Sequence, residues 1–465
     1  MSIIIPANSA VAGGYDVANG IRLDNNAYLS RTFSEAGAGG GGGTFKWTLS
    51  LWFKRSLIDG NEHVLMSRYV NANKYVTIKI NGNNKIEYRV YNFADQCRMT
   101  TTAILRDSAA WVNFVIAQDS TLGTAADRVK FFINGNLVTS FATNTQIGQN
   151  VGGDFNTNNA PHQIGAFNAG DEFQGYFSQF CFVDNVQYNA DQFGEFDSDS
   201  GVWKPIDVSG LSTGATSFFL AFEDSSALGT DSSGDNNDFS LNNITAVDQT
   251  VDSCTNNFAV LNILDNFYPN ATFSQGNTEI VSPSGREASS SSTIYLTQGK
   301  WYWETKFFSA SAPFVGIQPV VSSSNTTTPA VLQSNGLGIL KTGKVETTNG
   351  SGGSTVLASY ATFTTNDIIG TALDLDANKI YFYKNGSILG ANGVSITAPA
   401  STINGHYMVA VGNISGTDTI SVNFGSPSFA ISSSNQDGND RGNFEYAVPS
   451  GYLSICTKNL SEALS

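Results

Sequence analysis

Positive charge is scarce in this sequence. Its 465 residues include 24 Lys and Arg against 39 Asp and Glu, a formal net charge of -15, and charged residues make up 14% of the chain. No stretch concentrates lysine or arginine. Nucleic acid and anionic membrane surfaces are bound through a concentrated positive face, so we expect neither as a partner.

Cysteine and histidine are also few, and they are scattered. The spacing of the cysteines is not that of a zinc site, and a disulfide-stapled secreted domain would contain many more. We therefore expect free thiols, with one disulfide as the alternative, and no cofactor. The wide spacing of the histidines weakens a metal centre or a catalytic triad without excluding either. These residues are Cys97, Cys181, Cys254 and Cys456, and His63, His162 and His406.

Long apolar runs are absent. No stretch reaches the roughly 18 apolar residues of a membrane-spanning helix, so we expect no membrane insertion. The N-terminus has no basic region and an apolar run of only Ile3, Ile4 and Ile5, unlike a secretory signal. If the protein acts outside a cell, we expect it to leave by another route, such as release of assembled particles at lysis.

The composition favours short β-strands joined by polar turns. Gly numbers 46 and aromatic residues make up 12%, and a chain of this length exceeds what one hydrophobic core usually supports. VKFFINGNLV at 129–138 and KIYFYKNGSIL at 379–389 each have Asn-Gly between β-rich runs, the pattern of a type I′ hairpin. One such hairpin in each half predicts an all-β chain of two antiparallel β-sandwiches in tandem. The predicted segments are an N-terminal arm at 1–14, a sandwich at 15–250, a linker at 251–270 and a sandwich at 271–465.

The first half resembles laminin-G-like, concanavalin A-like jelly rolls. WTLSLWFKR at 47–55, WVNFVI at 111–116, the hairpin at 129–138 and GYFSQFCFVD at 175–184 occur in the order seen in that family. The resemblance implies two curved sheets packed face to face and frequent use as a carbohydrate- or protein-binding module. It implies no particular ligand residues, because the binding loops of such folds vary widely.

The second half resembles a SPRY domain. GKWYWETK at 299–306, FVGI at 314–317, DIIGTALDLD at 367–376 and IYFYKNG at 380–386 follow the order of that family's motifs. The resemblance implies another antiparallel sandwich, a binding role without a shared catalytic apparatus, and partner surfaces in variable loops. Strand alternation predicts that Trp301 and Trp303 lie in the core.

Two polar segments of the second half, 320–330 and 341–360, have the composition of binding loops. Neighbouring strands need only about 2 to 5 connecting residues, whereas the segment 341–360 has about 20. This length favours a binding loop, and a loop tip that binds no ligand is the alternative. In the first half, alternation places Trp47 in the core and Trp52 on the opposite face, where it is the better candidate for exposure. In the second half, alternation predicts that Tyr302 points outward. The candidate ligand-binding residues are Thr342, Thr347, Thr348, Asn349, Ser351 and Trp52.

A catalytic hypothesis depends on one acidic stretch. Jelly-roll glucanases resemble one another in a strand that carries alternating carboxylates as nucleophile, helper and acid/base. The nearest pattern here is Glu195, Asp197 and Asp199, which ends in the shorter Asp and lies in a polar, turn-like stretch. We expect a solvated turn and no enzymatic activity.

A calcium site is a further alternative. Asp231, Asp235 and Asp238 lie in one polar segment, and calcium needs six to eight oxygen ligands. Their spacing does not match an EF-hand. We expect an ordinary surface turn and keep calcium as the alternative.

The segments that flank the second half are similar to uncharacterised tailed-phage virion proteins that pair such sandwiches. They are 236–253, 256–262 and 448–460. The resemblance implies a virion component, so we expect a non-enzymatic surface protein of a fibre, tail appendage or capsid decoration. It would display its sandwiches to a host-surface glycan or protein. A purely structural virion protein that joins neighbouring subunits and a glycan depolymerase are the alternatives.

Assembly into a virion implies protein partners. We expect other virion proteins and further copies of this chain, as a homo-oligomer. The arm residues Ile3, Ile4 and Ile5 are β-branched and precede the first predicted sandwich, which suits them to adding a strand to the sheet edge of a neighbour.

Overall fold

The computed structural model describes residues 14–34, 45–153, 155, 157–211, 214–267, 271–283, 288–319, 335–348 and 354–463. They form two compact units that divide between Thr255 and Asn256, here called the first and the second sandwich. Within the described residues the fold is β apart from short 3-10 turns and one α-helix, Thr457–Ala463 (α1), and no helix there has the length and hydropathy to cross a membrane. The predicted all-β fold class is confirmed.

The first sandwich has two large antiparallel sheets. Sheet A has the strand order β10-β9-β8-β3-β13-β1-β18, with β16 beside β13, and sheet B has the order β11-β7-β6-β5-β4-β12-β2-β17, while β14 and β15 form a separate hairpin. The bounds are β1 Gly20–Leu23, β2 Tyr28–Thr32, β3 Lys46–Arg55, β4 His63–Asn71, β5 Lys74–Ile80, β6 Ile86–Asn92, β7 Asp95–Thr101, β8 Val112–Asp119, β9 Val129–Ile133, β10 Asn136–Leu137, β11 Phe141–Thr145, β12 Pro161–Ile164, β13 Gly175–Asp184, β14 Gly194–Phe196, β15 Trp203–Pro205, β16 Phe218–Leu220, β17 Ser240–Asn242 and β18 Gln249–Thr250.

Alternation along the strands builds the core between sheets A and B. In β3, Trp47, Leu49, Leu51 and Phe53 share one buried face, because successive side chains of a strand point to opposite sides. The Trp47 ring packs edge-on against Tyr88 of sheet B at 5.8 Å between centroids. The prediction that Trp47 lies in the core is confirmed.

The second sandwich repeats this architecture. Sheet C has the strand order β19-β22-β32-β24-β25-β26-β27, and sheet D has the order β20-β21-β33-β23-β28-β29-β30, with β31 beside β29 and β34 parallel to β23. Trp301 and Trp303 are buried in the core, as predicted. The bounds are β19 Leu261–Phe267, β20 Thr272–Ser274, β21 Glu279–Val281, β22 Ala288–Leu296, β23 Lys300–Phe307, β24 Pro313–Gln318, β25 Leu337–Leu340, β26 Lys344–Thr348, β27 Ser354–Ser359, β28 Ile368–Asp374, β29 Lys379–Lys384, β30 Ser387–Ile388, β31 Val394–Ser395, β32 Tyr407–Asn413, β33 Thr419–Asn423 and β34 Leu453–Ser454.

Both Asn-Gly hairpins form where the sequence predicts them. Asn134 and Gly135 have φ angles of 46° and 76° between β9 and β10, and Asn385 and Gly386 have 48° and 78° between β29 and β30. Positive φ at both central residues is what a type I′ turn requires. The turn chemistry therefore sets these two hairpins locally.

The segment 251–270 differs from the predicted linker. Asp252 is buried and forms an ion pair with Lys54 of β3, so the chain remains part of the first sandwich up to Thr255. From Leu261 the chain forms β19, which pairs with β22 of the second sandwich. Hydrogen bonding and charge pairing thus assign its described residues, 251–267, to the two sandwiches. The predicted arm residues Ile3, Ile4 and Ile5 lie outside the described residues.

Candidate functional site

A cleft of about 510 Å³ lies on the face of sheet B that points away from the core. Strands β4, β5, β6 and β7 form its floor, and the loop after β12 forms one wall. We refer to this feature as the cleft. Its main lining residues are Glu62, Tyr69, Tyr75, Lys79, Arg89, Arg98, Phe167 and Asp171.

Strand alternation places the cleft side chains. In β5, Val76, Ile78 and Ile80 enter the core, while Tyr75 and Lys79 point to the other face. In β6, Glu87, Arg89 and Tyr91 likewise alternate with the core residues Ile86, Tyr88 and Val90. The register pairs Tyr75 with Tyr91 and Lys79 with Glu87 across the two strands. Cross-strand neighbours of this kind interact directly.

Aromatic rings cluster at one end of the cleft. Tyr75 stacks on Tyr91 with 5.0 Å between centroids and an interplanar angle of 23°. Phe167 lies edge-on to Tyr69 at 5.3 Å and to Tyr75 at 5.1 Å. The guanidinium of Arg89 lies 4.8 Å from the centre of the Tyr91 ring. This end combines apolar ring faces with a polar rim.

Each cation of the cleft is paired with a carboxylate. Lys79 Nζ lies 2.7 Å from Glu62 Oε2 and 3.5 Å from Glu87 Oε1. The Glu87 side chain is only 2% exposed and also accepts hydrogen bonds from Arg98 and from the Thr100 hydroxyl. Arg89 Nε donates to Asp95 at 2.6 Å. Because the positive charges are neutralised in place, the cleft favours a neutral ligand over a polyanion.

The carboxylates of the cleft have different surroundings. Glu87 is buried between Lys79 and Arg98. Burial raises the pKa of Asp171, and the nearby charge of Glu62 raises it further. A glycosidase needs one carboxylic acid and one carboxylate on opposite sides of the scissile bond, so Asp171 and Glu62 are the residues on which a catalytic alternative would rest.

The loop that walls the cleft has a strained backbone. Asn168, Ala169 and Asp171 have φ angles of 51°, 56° and 50°. Phe167 and Gly170 exchange backbone hydrogen bonds of 2.7 and 2.9 Å, which close the turn. Positive φ is costly for a residue with a Cβ, and such residues cluster at functional sites. Asparagine and aspartate tolerate this region, so Ala169 has most of the strain of the turn.

Trp52, the better candidate for exposure in the sequence, is buried. Trp52 is 3% exposed and packs in a second apolar cluster with Trp111 and Trp203. It lines a smaller pocket of about 220 Å³ beside the exposed ring of Phe196. Alternation placed Trp52 correctly on the face opposite Trp47, but the β14–β15 hairpin covers that face.

The segment 341–360 is not a long loop. Strands β26 and β27 occupy most of it and pair with each other, so the predicted binding loop is an edge hairpin. Thr342 is exposed, whereas the Thr347 hydroxyl donates to the carbonyl of Gly336 at 2.6 Å. The side chain of Thr348, the residues Asn349 and Ser351, and the segment 320–330 lie outside the described part of the chain.

The acidic stretch at 195–199 is a hairpin turn. Glu195 lies in β14, and Lys204 of β15 pairs with both Glu195 at 3.2 Å and Asp197 at 3.5 Å. Asp197 accepts hydrogen bonds from the backbone and the hydroxyl of Ser200, which lower its pKa. The carboxylate of Asp197 closes the turn, as in other Asx turns.

Replacing Glu195 with Gln and Asp197 and Asp199 with Asn is expected to change the melting temperature of the first sandwich by less than about 3 °C. Asn keeps the acceptor oxygen that closes the turn, and surface substitutions have small effects. Calorimetry of the triple variant checks this expectation. A fall of about 8 °C or more would show that these charges hold the sandwich together.

The weak calcium candidate forms a hydrogen-bonded loop. Both oxygens of Asp231 accept backbone N–H groups, from Phe219 and Ser233 on one oxygen and from Asn237 on the other. The Asp238 carboxylate accepts the N–H of Asp231. In the described part of the chain no group of three or more His, Cys, Asp or Glu side chains is placed to hold a metal ion. The acidic side chains are used to shape the loop.

Sequence reasoning missed the cleft. A signal was present, because EYRVY at 87–91 places Glu87, Arg89 and Tyr91 at every second position in a chain with few charges. The pairing of Tyr75 with Tyr91 follows from the local β5–β6 hairpin. The contribution of Phe167 was beyond reach, because it comes from a loop about eighty residues further along the chain.

Comparisons with known proteins agree with this fold. Residues 34–187 match the family model of the concanavalin A-like lectin/glucanases superfamily, of the laminin-G type. The first sandwich is therefore a concanavalin A-like, laminin-G-like domain, as predicted. A search of the curated proteins finds no match.

Three solved structures illustrate the structural similarities. The SPRY domain of human HERC1 has 16% identity and a TM-score of 0.26 and covers 35% of this chain and 96% of its own. A second human SPRY domain has 18% identity and a TM-score of 0.24, and the match covers 31% of this chain and 90% of that domain's chain. The heptameric SAP-like pentraxin from Limulus polyphemus has 10% identity and a TM-score of 0.28 and covers 38% and 82%.

Proposed function

We propose that this chain is a non-enzymatic binding protein whose cleft holds a neutral glycan. One observation carries the proposal: the rings of Tyr69, Tyr75 and Phe167 meet in a cleft whose charges are paired. Ring faces pack against the C–H faces of sugars, and the paired charges offer donors and acceptors to hydroxyl groups. The name of the matching family model, which includes lectins and glucanases, supports a carbohydrate ligand, so neutral glucans are the first ligands to test.

In our proposal, the chain binds this glycan at the surface of a virion. The resemblance to tailed-phage virion proteins supports a fibre, tail appendage or capsid decoration that meets a glycan of the host surface. Other virion proteins and further copies of the chain would be its partners. Many copies on one particle would turn a weak single-site affinity into firm attachment.

Tyr75→Ala is expected to weaken binding of a neutral glucan about tenfold. The substitution removes the ring that contacts both Tyr91 and Phe167 and so opens the aromatic end of the cleft. Titration calorimetry of the full chain with laminarihexaose and with cellohexaose measures the affinity. Tyr295→Ala is the matched control, because Tyr295 is a 40% exposed tyrosine of the second sandwich.

Equal affinity of the wild type and Tyr75→Ala would contradict the site. Incubation of the wild type with laminarin and with cellulose oligomers separates binding from catalysis, because a hydrolase releases reducing ends. We expect no release. Release that disappears in Asp171→Asn would replace the binding function with the glycan-cleaving alternative.

A second candidate function is a purely structural one. Strand β27 pairs with β26 on one side and, among the described residues, with no strand on the other. It exposes Val356 at 46% and Leu357 at 43%. Its sequence STVLAS has no charge or proline to discourage pairing with another chain. This edge favours a protein that joins neighbouring subunits, and such a protein would show no saturable glycan binding.

A further inference from the structure

Phe93 has an unusual backbone for its residue type. It lies in the turn between β6 and β7 with a φ of 55°, and its side chain is 76% exposed. Most other non-glycine residues with positive φ in the described chain are asparagine, which tolerates this region best. For a bulky residue such a conformation is an outlier.

A comparison with Phe222 shows that packing does not explain the backbone conformation of Phe93. Phe222 has a similar φ of 59°, but it is 2% exposed and lies in the hydrophobic core. Burial of its ring offsets the backbone cost. The ring of Phe93 obtains little burial within the chain, so folding does not account for an aromatic residue at this position.

The backbone of Phe93 is hydrogen-bonded next to a residue that lines the cleft. Phe93 follows Tyr91 by two residues, and its N–H donates to the carbonyl of Asn73 at 2.8 Å. Asn73 follows Ala72, which lines the cleft. The N–H of Asn92 donates to the carbonyl of Ala94 at 3.0 Å. These hydrogen bonds fix the turn beside the rings of Tyr75 and Tyr91.

We propose that Phe93 is a second aromatic platform, which stacks on a further sugar residue of a glycan whose first residues occupy the cleft. This inference rests on the proposed function and extends it. It assigns the ligand class as a linear neutral oligosaccharide that is longer than the cleft. Strain retained at an exposed aromatic is then the cost of a binding contact.

The test compares short and long glucans on one variant. Phe93→Asn is expected to bind laminarihexaose or cellohexaose about fivefold more weakly than the wild type, with unchanged affinity for laminaribiose or cellobiose. Its melting temperature should rise by about 2 °C, because asparagine relieves the left-handed strain. Phe93→Tyr keeps the ring and should bind both lengths like the wild type. Ile403→Asn, at a 72% exposed site of the second sandwich, is the control.

The outcomes distinguish this inference from the proposed function. If the wild type binds a hexaose and Phe93→Asn binds it equally well, the platform is overturned and the cleft remains. Equal weakening for the disaccharide and the hexaose also overturns the platform, because Phe93 would then act by shaping the cleft. If the wild type binds neither hexaose, both the platform and the proposed function fail.

Discussion

The Asp252→Ala variant is expected to lose about 3–5 kcal/mol of the unfolding free energy of the first sandwich. Asp252 and Lys54 form an ion pair in which each side chain is 1% exposed. The indole N–H of Trp111 also donates to Asp252 at 3.0 Å, and the ring of Tyr176 lies 4.5 Å from Lys54 Nζ. Removing the carboxylate takes this acceptor away from a buried ammonium group and a buried N–H.

Calorimetry of the full chain measures this loss as a lower melting temperature of the first sandwich, with the second sandwich unchanged. Burial lowers the pKa of Lys54, so the penalty in the variant should shrink as the pH rises and the lysine loses its proton. The double variant Lys54→Met with Asp252→Leu should recover most of the stability. An Asp252→Ala variant that melts like the wild type would show that the pair contributes little.

The Glu304→Leu variant should lose about 3 kcal/mol from the second sandwich. Glu304 lies buried in β23, and its carboxylate accepts four hydrogen bonds. Leucine has a similar size but accepts none, so four donors lose this partner. The donors are the N–H groups of Glu445 at 2.9 Å and Tyr446 at 2.8 Å, the Tyr302 hydroxyl at 3.3 Å and the Asn423 amide at 3.4 Å.

Loss of these bonds should also release the segment that contains Glu445 and Tyr446. Limited proteolysis should therefore cut Glu304→Leu near these residues sooner than it cuts the wild type. Glu346→Gln, on the edge hairpin, is the matched control and should behave like the wild type. Identical proteolysis and melting of Glu304→Leu and the wild type would contradict the anchoring role.

The same carboxylate predicts a pH dependence. Burial raises the pKa of Glu304 above its usual value of 4.5, and the donated hydrogen bonds oppose the rise. A raised pKa favours the protonated form of Glu304 in the folded state. The stabilising contribution of Glu304 protonation is therefore fully present below the unfolded-state pKa, at a pH of about 4.5, and is lost as the pH rises through the folded-state pKa. Relative to Glu304→Gln, the wild type should therefore lose stability over that interval.

Strand alternation predicted much of the fold and part of the burial. It placed Trp47, Trp301 and Trp303 in the two cores, which the structure confirms. It failed for Trp52 and Tyr302 for one physical reason: alternation gives the face of a residue but not what covers that face. Trp203 packs in the cluster of Trp52, and Phe444 lies 5.2 Å from Tyr302 between ring centroids. Both covering residues come from segments distant in sequence.

The candidate site was harder to predict because it depends on strand order and on one distant loop. The polar composition of 341–360 suggested a loop, but Val345 is buried on one side of a paired strand, and its pairing with Ala358 forms an edge hairpin. By contrast, the cleft residues Arg89 and Arg98 read as ordinary polar positions of two short strands. Only the assembled sheet shows that both line one cleft with Tyr75 and Phe167.

A crystal structure of the full chain with laminarihexaose or cellohexaose tests the central claim most directly. We expect sugar rings in the cleft against Tyr75 and Phe167, with a further ring over Phe93. Sugar bound at the edge hairpin or elsewhere on the second sandwich, with the cleft holding none, would contradict it.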